Sequence, residues 1–124
     1  MARVIVFQYR FADLVRAGKK TQTIRKTARC KPGDQLSLRR WSGRPYRSEQ
    51  EILRSAVCKT VRYISIGYKP GKWGISVLGV ELSESKREAM ARADGFESER
   101  EMLAWFDKTH GLPFYGELIE WTDA

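Results

Sequence analysis

Histidine is almost missing from this chain: His110 is the single one in 124 residues. That scarcity argues against a Ser-His or Cys-His catalytic pair, since both need an imidazole as general base. His110 follows Lys108-Thr109 and precedes Gly111, the pattern of a helix carboxyl end, where an imidazolium favours the dipole. Cysteine is scarce too. Cys30 and Cys58 form no CxxC pair and lie far apart in sequence, which disfavours a zinc site and leaves two free thiols suited to a reducing compartment. No apolar run approaches the roughly 20 residues of a membrane helix. Val4-Ile5-Val6-Phe7 is shorter than the about 7–15 apolar residues of a secretory segment. The expected location is the cytoplasm, with no membrane partner. A phosphate-binding P-loop is also missing, because Gly67 to Trp73 does not complete Gly-x-x-x-x-Gly-Lys-Ser/Thr. No metal or cofactor is expected.

Positive charge is what the chain has in quantity. Lysine and arginine number 23 against 15 acids, a net charge of +8. Residues 1–63 hold 16 Lys/Arg against four acids, a balance of +12, and residues 64–124 hold seven against 11, a balance of −4. A basic half beside an acidic half is the footprint of a polyanion-facing surface; a solvated basic face without a partner is the plainer alternative. The length suits a single domain over residues 1–124, and the 42% hydrophobic fraction is ordinary for a globular chain.

Hydrophobic periodicity places the elements. Val4, Val6 and Phe7 predict an opening strand, and Phe11, Leu14 and Val15 recur at helical spacing before a glycine cap at Gly18. Thr21 to Lys26 alternates like a strand, Pro32-Gly33-Asp34 marks a turn, and Leu36, Leu38 and Trp41 follow in another strand. Ser42 to Ser55 is polar and arginine-rich, which predicts a long loop with a short helical turn around Glu49 to Leu53. Val57 to Ile66 reads as a long strand, Lys69-Pro70-Gly71-Lys72 as a hairpin turn, and Ile75 to Leu82 as its partner. Ser85-x-x-Glu88 and Ser98-x-x-Glu101 match capping boxes that open two helices. Asp94-Gly95-Phe96 breaks between them, and Pro113 begins a last strand whose Tyr115, Glu117, Ile119 and Trp121 share a face. The expected architecture is α+β, a small curved sheet or barrel with flanking helices.

The run from Ala17 to Lys26 concentrates amine, hydroxyl and guanidinium groups. Lys20 and Thr23 are three apart, which separates them in an extended strand but lets them converge in a turn leaving a helix. One reading makes Thr23 a nucleophile and Lys20 its base, a role that requires a depressed lysine pKa; Lys19, Arg25 and Lys26 supply neighbouring cations. The other is a solvated basic hairpin that holds phosphates by charge alone. Asp94 and Glu97 flank Gly95-Phe96: a carboxylic acid there suits proton donation if buried, or merely caps a turn. Tyr9, Tyr46, Tyr68 and Trp73 lie near basic or turn residues, where an exposed ring can stack on a base.

Arg10-Phe11, Gly18 to Arg25, Pro32-Gly33-Asp34 and Asp94-Gly95-Phe96 together resemble the ASCH domain family, most strongly over residues 8–38. The resemblance implies a PUA-like β-barrel and a link to RNA or nucleotides. One branch of that family comprises small amidohydrolases that remove acetyl from 4-N-acetylcytidine. Carried over, it implies Lys20 as proton acceptor, Thr23 as nucleophile and Asp94 in place of the family's glutamate donor. Two departures stand out: the shorter carboxylate at Asp94, and the Ser42 to Ser55 insertion. The expected function is therefore binding of RNA or a modified nucleoside in a basic cleft, with hydrolysis of the 4-N-acetylcytidine amide. Arg25 is our own addition, as oxyanion stabiliser. Lys19, Arg25, Lys26, Arg39, Arg40, Arg44 and Arg47 are the expected substrate or nucleic-acid contacts. A non-catalytic RNA-binding module and a metal-independent ribonuclease are the rival readings.

Overall fold

The computed structural model describes residues 2–69 and 72–124, without the side chains of 68, 69, 72 and 73. The elements run β1 (Arg3–Val6), α1 (Tyr9–Arg16), β2 (Gln22–Arg25), β3 (Gln35–Trp41), β4 (Gln50–Lys69), β5 (Lys72–Val77), β6 (Val80–Glu81), α2 (Glu84–Ala93), α3 (Glu99–Thr109) and β7 (Phe114–Asp123). All seven strands belong to one mixed sheet, so the α+β expectation holds. The 20-residue β4 organises it. One edge pairs with β7; the other pairs first with β3 and then with β5. β1 runs parallel to β3, and β2 antiparallel to β7.

The sheet is not a closed barrel, since β1 and β2 form no ladder with each other. A side chain spans the gap instead: Arg25 Nη2 donates to the Val6 carbonyl at 3.0 Å. The core enclosed behind them includes Leu36, Leu38, Ile66, Ile75, Met102 and Phe106, all nearly inaccessible to solvent. Among the described residues no helix is long and apolar enough to cross a membrane.

Most predicted elements are present, and four differ. Residues 50–55 are strand rather than loop, so only 42–49 connect β3 to β4. The polar pattern there conceals pairing with β3 from Trp41↔Gln50 to Ser37↔Ser55. Arg54 also works structurally, donating to the Val15 and Arg16 carbonyls at the end of α1, which satisfies acceptors the helix leaves open. Ser83, not Ser85, caps α2, accepting from the Lys86 N–H. Glu88 instead accepts from the Glu99 N–H and ties α2 to α3. Ser98 caps α3 as expected.

The segment expected as one strand to Leu82 stops at Val77 and turns back through Leu78-Gly79 into β6. Both turn residues have positive φ, as a tight hairpin twist requires, and leucine is not a residue that advertises it. Lys69 and Lys72 pair as hairpin ends, while Pro70 and Gly71 of the expected turn lie outside the described residues. In β7 the expected common face divides, with Tyr115 exposed but Ile119 and Trp121 buried. Phe114, Gly116 and Leu118 are buried on the alternate positions, so neither face of this strand is simply solvent-facing.

Gly116 is fixed by close approach. A Cβ there would lie 2.5 Å from the Arg25 carbonyl and 2.8 Å from Phe114 Cε1. Gly116→Ala is therefore expected to lower stability by about 2 kcal/mol, the scale of overpacking, and to loosen β2 against β7. Urea unfolding checks the first effect and amide exchange in β2 the second.

Candidate functional site

The route from α1 to β2 decides where Lys20 goes. The chain leaves the helix with the Lys19 and Lys20 N–H groups on the Leu14 carbonyl, and the Thr21 N–H then binds the Ala93 carbonyl at 2.9 Å. That last bond docks the connection onto the carboxyl end of α2. Lys20 is thereby aimed at Asp94, the residue closing that helix. Its Nζ donates to the Asp94 carbonyl at 2.5 Å and to Asp94 Oδ1 at 3.2 Å. An ammonium at a helix carboxyl end also opposes the negative end of the dipole.

The two side chains are 3% and 4% exposed, so both charges have left water. Burial pushes the Lys20 ammonium below its ordinary pKa, with Asp94 opposing, and pushes the Asp94 carboxyl above its own, with Lys20 opposing. Each partner is driven toward its neutral form. Phe11 lies 4.7 Å below the ammonium, a cation–π contact. Gly95 keeps this corner tight: its φ is +98° and a Cβ would press on Phe11, Leu14 and Lys20, so a side chain there is strained on both counts.

Stability follows from these shifts with a definite sign. Asp94, raised above 3.8, binds more protons folded than unfolded, so its contribution falls as pH climbs from about 4 through its folded pKa. Lys20, lowered below 10.5, binds fewer folded, so its contribution rises as pH approaches 10.5. Measured relative to a Lys20→Met/Asp94→Asn double variant, wild-type stability is expected to pass through a minimum between these limits. Urea titrations across that range check it, and a maximum near neutrality would overturn it.

Thr23 and Arg25 lie on the same side of β2, two residues apart, opposite Ile119 and Glu117 of β7. Arg25 Nε donates to Thr23 Oγ1 at 3.1 Å, and the guanidinium stands 5.2 Å from the Phe7 ring. Lys20, Thr23, Arg25, Lys26 and Asp94 all line one cavity of about 180 Å³. Phe7, Phe11, Trp105, Phe106 and His110 form its apolar and aromatic wall.

The cavity gathers five of the residues expected from sequence, but two details differ. Lys20 is hydrogen-bonded to Asp94 rather than to Thr23, and Arg25 holds the threonine hydroxyl and the Val6 carbonyl rather than standing free as an oxyanion donor. Lys19 is exposed on the α1–β2 connection, and Glu97 is exposed beyond Gly95. Arg39 and Arg40 sit at the end of β3, bonded to Ser37 and Gln50 and to Glu51 respectively; Arg44 and Arg47 are exposed on the 42–49 loop. These four arginines form a second basic group outside the cavity lining.

Sequence reasoning missed Gln22, Trp105 and His110. Gln22 is buried, and its amide nitrogen lies 3.5 Å from both Asp94 Oδ1 and the Met90 carbonyl. The available signal was spacing: Gln22 stands two residues after Lys20, the period at which side chains of an extended segment share a side. His110 does close α3 as expected, yet its ring also stands 4.9 Å from Phe114 and borders the cavity. No group of three or more potential metal ligands occurs among the described residues.

The chain is thus an α+β protein with a mixed seven-stranded sheet and a buried lysine–aspartate pair opening on a basic, aromatic-walled cavity. No protein-family model, characterised protein or solved structure matches it.

Proposed function

We propose that this cavity takes the base of a pyrimidine nucleoside and that Thr23 hydrolyses an acyl amide on its exocyclic amine, with 4-N-acetylcytidine as substrate. The observation that carries the reading is the convergence of a buried Lys20–Asp94 pair and an arginine-held Thr23 on one cavity. Size supports a single ring: a cavity of roughly 150 Å³ accommodates benzene, and this one measures about 180 Å³. The same convergence supports placing the chain in the ASCH family with a PUA-like fold, and the two free cysteines, Cys30 and Cys58, support a reducing compartment such as the cytoplasm.

In the reaction Thr23 Oγ bonds to the acetyl carbon while its proton passes to neutral Lys20, and the carbonyl electron pair moves to oxygen near Arg25. Collapse breaks the carbon–nitrogen bond, and protonated Asp94 supplies the proton to the departing amine. The Lys20 ammonium then returns its proton to Asp94. Water attacks the acetyl-threonine ester, giving up a proton to the now neutral Lys20, and the departing Thr23 oxygen takes that proton back as acetic acid is released and ionises to acetate. Substrate entry turns Lys20 from Asp94 toward Thr23; catalytic hydrogen bonds commonly form only in the loaded site.

A second reading has its own support. Lys20 already caps α2 and pairs with Asp94, as a structural residue of a non-catalytic RNA-binding module would. Incubating the purified protein with 4-N-acetylcytidine and with end-labelled RNA, then separating products, decides among the readings. Cytidine and acetate support the amidohydrolase. RNA retained intact without nucleoside turnover supports the binding module, and shortened RNA in the presence of chelator supports a ribonuclease.

A further inference from the structure

β1 lies at an open edge of the sheet. It pairs with β3 on one side and has no ladder on the other. Successive residues of a strand in a parallel ladder address alternate edges. The Phe7 N–H goes to the Arg39 carbonyl of β3 at 2.8 Å, so Val4 and Val6 turn their N–H and C=O groups away from β3. The Val6 carbonyl bears this out, since Arg25 Nη2 reaches it from the open side at 3.0 Å. A guanidinium thus stands where the amide of a neighbouring strand would. The Val4 N–H and C=O and the Val6 N–H have no partner among the described residues.

A cavity of about 170 Å³ follows this edge: all four residues of β1 line it, and Arg25, Thr27 and Arg29 bound it as well. Its lining holds no acid and no aromatic ring. The segment from Arg25 to Lys31 carries Arg25, Lys26, Arg29 and Lys31 and no acid. Arg29 is exposed and makes no ion pair among the described residues. Arg3 meets Asp34 at 3.9 Å, with its side chain 65% exposed. Between these cations Val4 is left 46% exposed.

We propose that the open edge of β1 takes an extended acidic peptide of a partner protein as an added strand. The peptide's main chain meets the free groups of Val4 and Val6, and its carboxylates meet Arg3 and Arg29. Its apolar side chains, alternating with the acids, pack on the valines. Arginines beside a free edge repel basic strands and admit acidic ones. A lining without rings gives a nucleobase nothing to stack on, which favours a peptide over a polynucleotide. Strand addition here is independent of what the larger site at Thr23 hydrolyses.

The test titrates capped eight-residue peptides into the isotope-labelled protein and follows backbone amides by nuclear magnetic resonance. The peptides are alternating Glu-Val, alternating Lys-Val, and the Glu-Val peptide N-methylated on its four central residues. The acidic peptide is expected to bind at least about tenfold more tightly than either of the others. At saturation the Val4 and Val6 amides are expected to exchange with solvent at least about fivefold more slowly. Arg3→Glu/Arg29→Glu, checked for folding by circular dichroism, is expected to lose about tenfold or more in affinity for the acidic peptide. Equal affinity for the N-methylated peptide means capture by charge alone and overturns strand addition. Undetectable binding, unprotected Val4 and Val6 amides, or full affinity in the glutamate variant overturns it too. An RNA decamer that depends on Arg3 and Arg29 where the acidic peptide fails to bind overturns it in favour of a polynucleotide.

Discussion

Replacing Thr23 by alanine is expected to reduce the turnover of 4-N-acetylcytidine by about a thousandfold or more, because the variant lacks the oxygen that attacks the acetyl carbon in the proposed reaction. Thr23 is 4% exposed, its hydroxyl is held by Arg25, and it borders the cavity beside Lys20 and Asp94. Thr23→Val separates chemistry from folding: it keeps the β-branched shape that suits β2 and removes only the hydroxyl. The orphaned Arg25 Nε costs stability on the order of 1–2 kcal/mol, visible in urea unfolding and too small to abolish the fold. Thr23→Ser restores a hydroxyl and is expected to restore measurable activity. Cytidine release followed by chromatography is the readout. A rate for Thr23→Ala within tenfold of wild type would remove the nucleophile assignment.

The second large effect concerns stability. Asp94→Ala leaves the Lys20 ammonium in a pocket where it has lost both its carboxylate and the screening of water. Removing one partner of a buried pair costs about 3–5 kcal/mol, a large part of the stability of a domain this size, whereas replacing both is often close to neutral. Lys20→Met/Asp94→Ala is accordingly expected to recover most of the loss. The single variant also has a pH signature. Its remaining lysine is already depressed by burial, so its deficit is expected to shrink as the solution becomes alkaline and Lys20 sheds its proton. Urea unfolding of wild type, both single variants and the double variant completes the cycle. Additive losses, with no recovery in the double variant, would mean that the pair is not coupled in the folded protein.

The local signals in the sequence proved sound where one element decided the outcome. Ser98 caps α3 through the Glu101 N–H, and Asp34 closes its turn by accepting from the Lys31 N–H and donating its own to the Lys31 carbonyl. They failed where a distant partner decided it. Residues 50–55 look like a polar loop until β3 pairs with them, and Ser83 caps α2 in place of the better motif at Ser85. The site divides the same way. Thr23 and Arg25 belong to one strand face and are readable as neighbours. The meeting of Lys20 with Asp94, 74 residues away, depends on the docking of Thr21 onto the end of α2, which no local pattern encodes. Trp105 and His110 reach the cavity only because α3 packs beside it.

The claim at the centre is that Thr23 accepts the acyl group. Rapid-quench mass spectrometry of the wild-type protein mixed with 4-N-acetylcytidine tests it directly. One acetyl group on the peptide carrying Thr23, appearing within the first turnover and absent from Thr23→Ala, is the expected result. Cytidine release with Thr23 unmodified throughout, and sustained in Thr23→Ala, would contradict it.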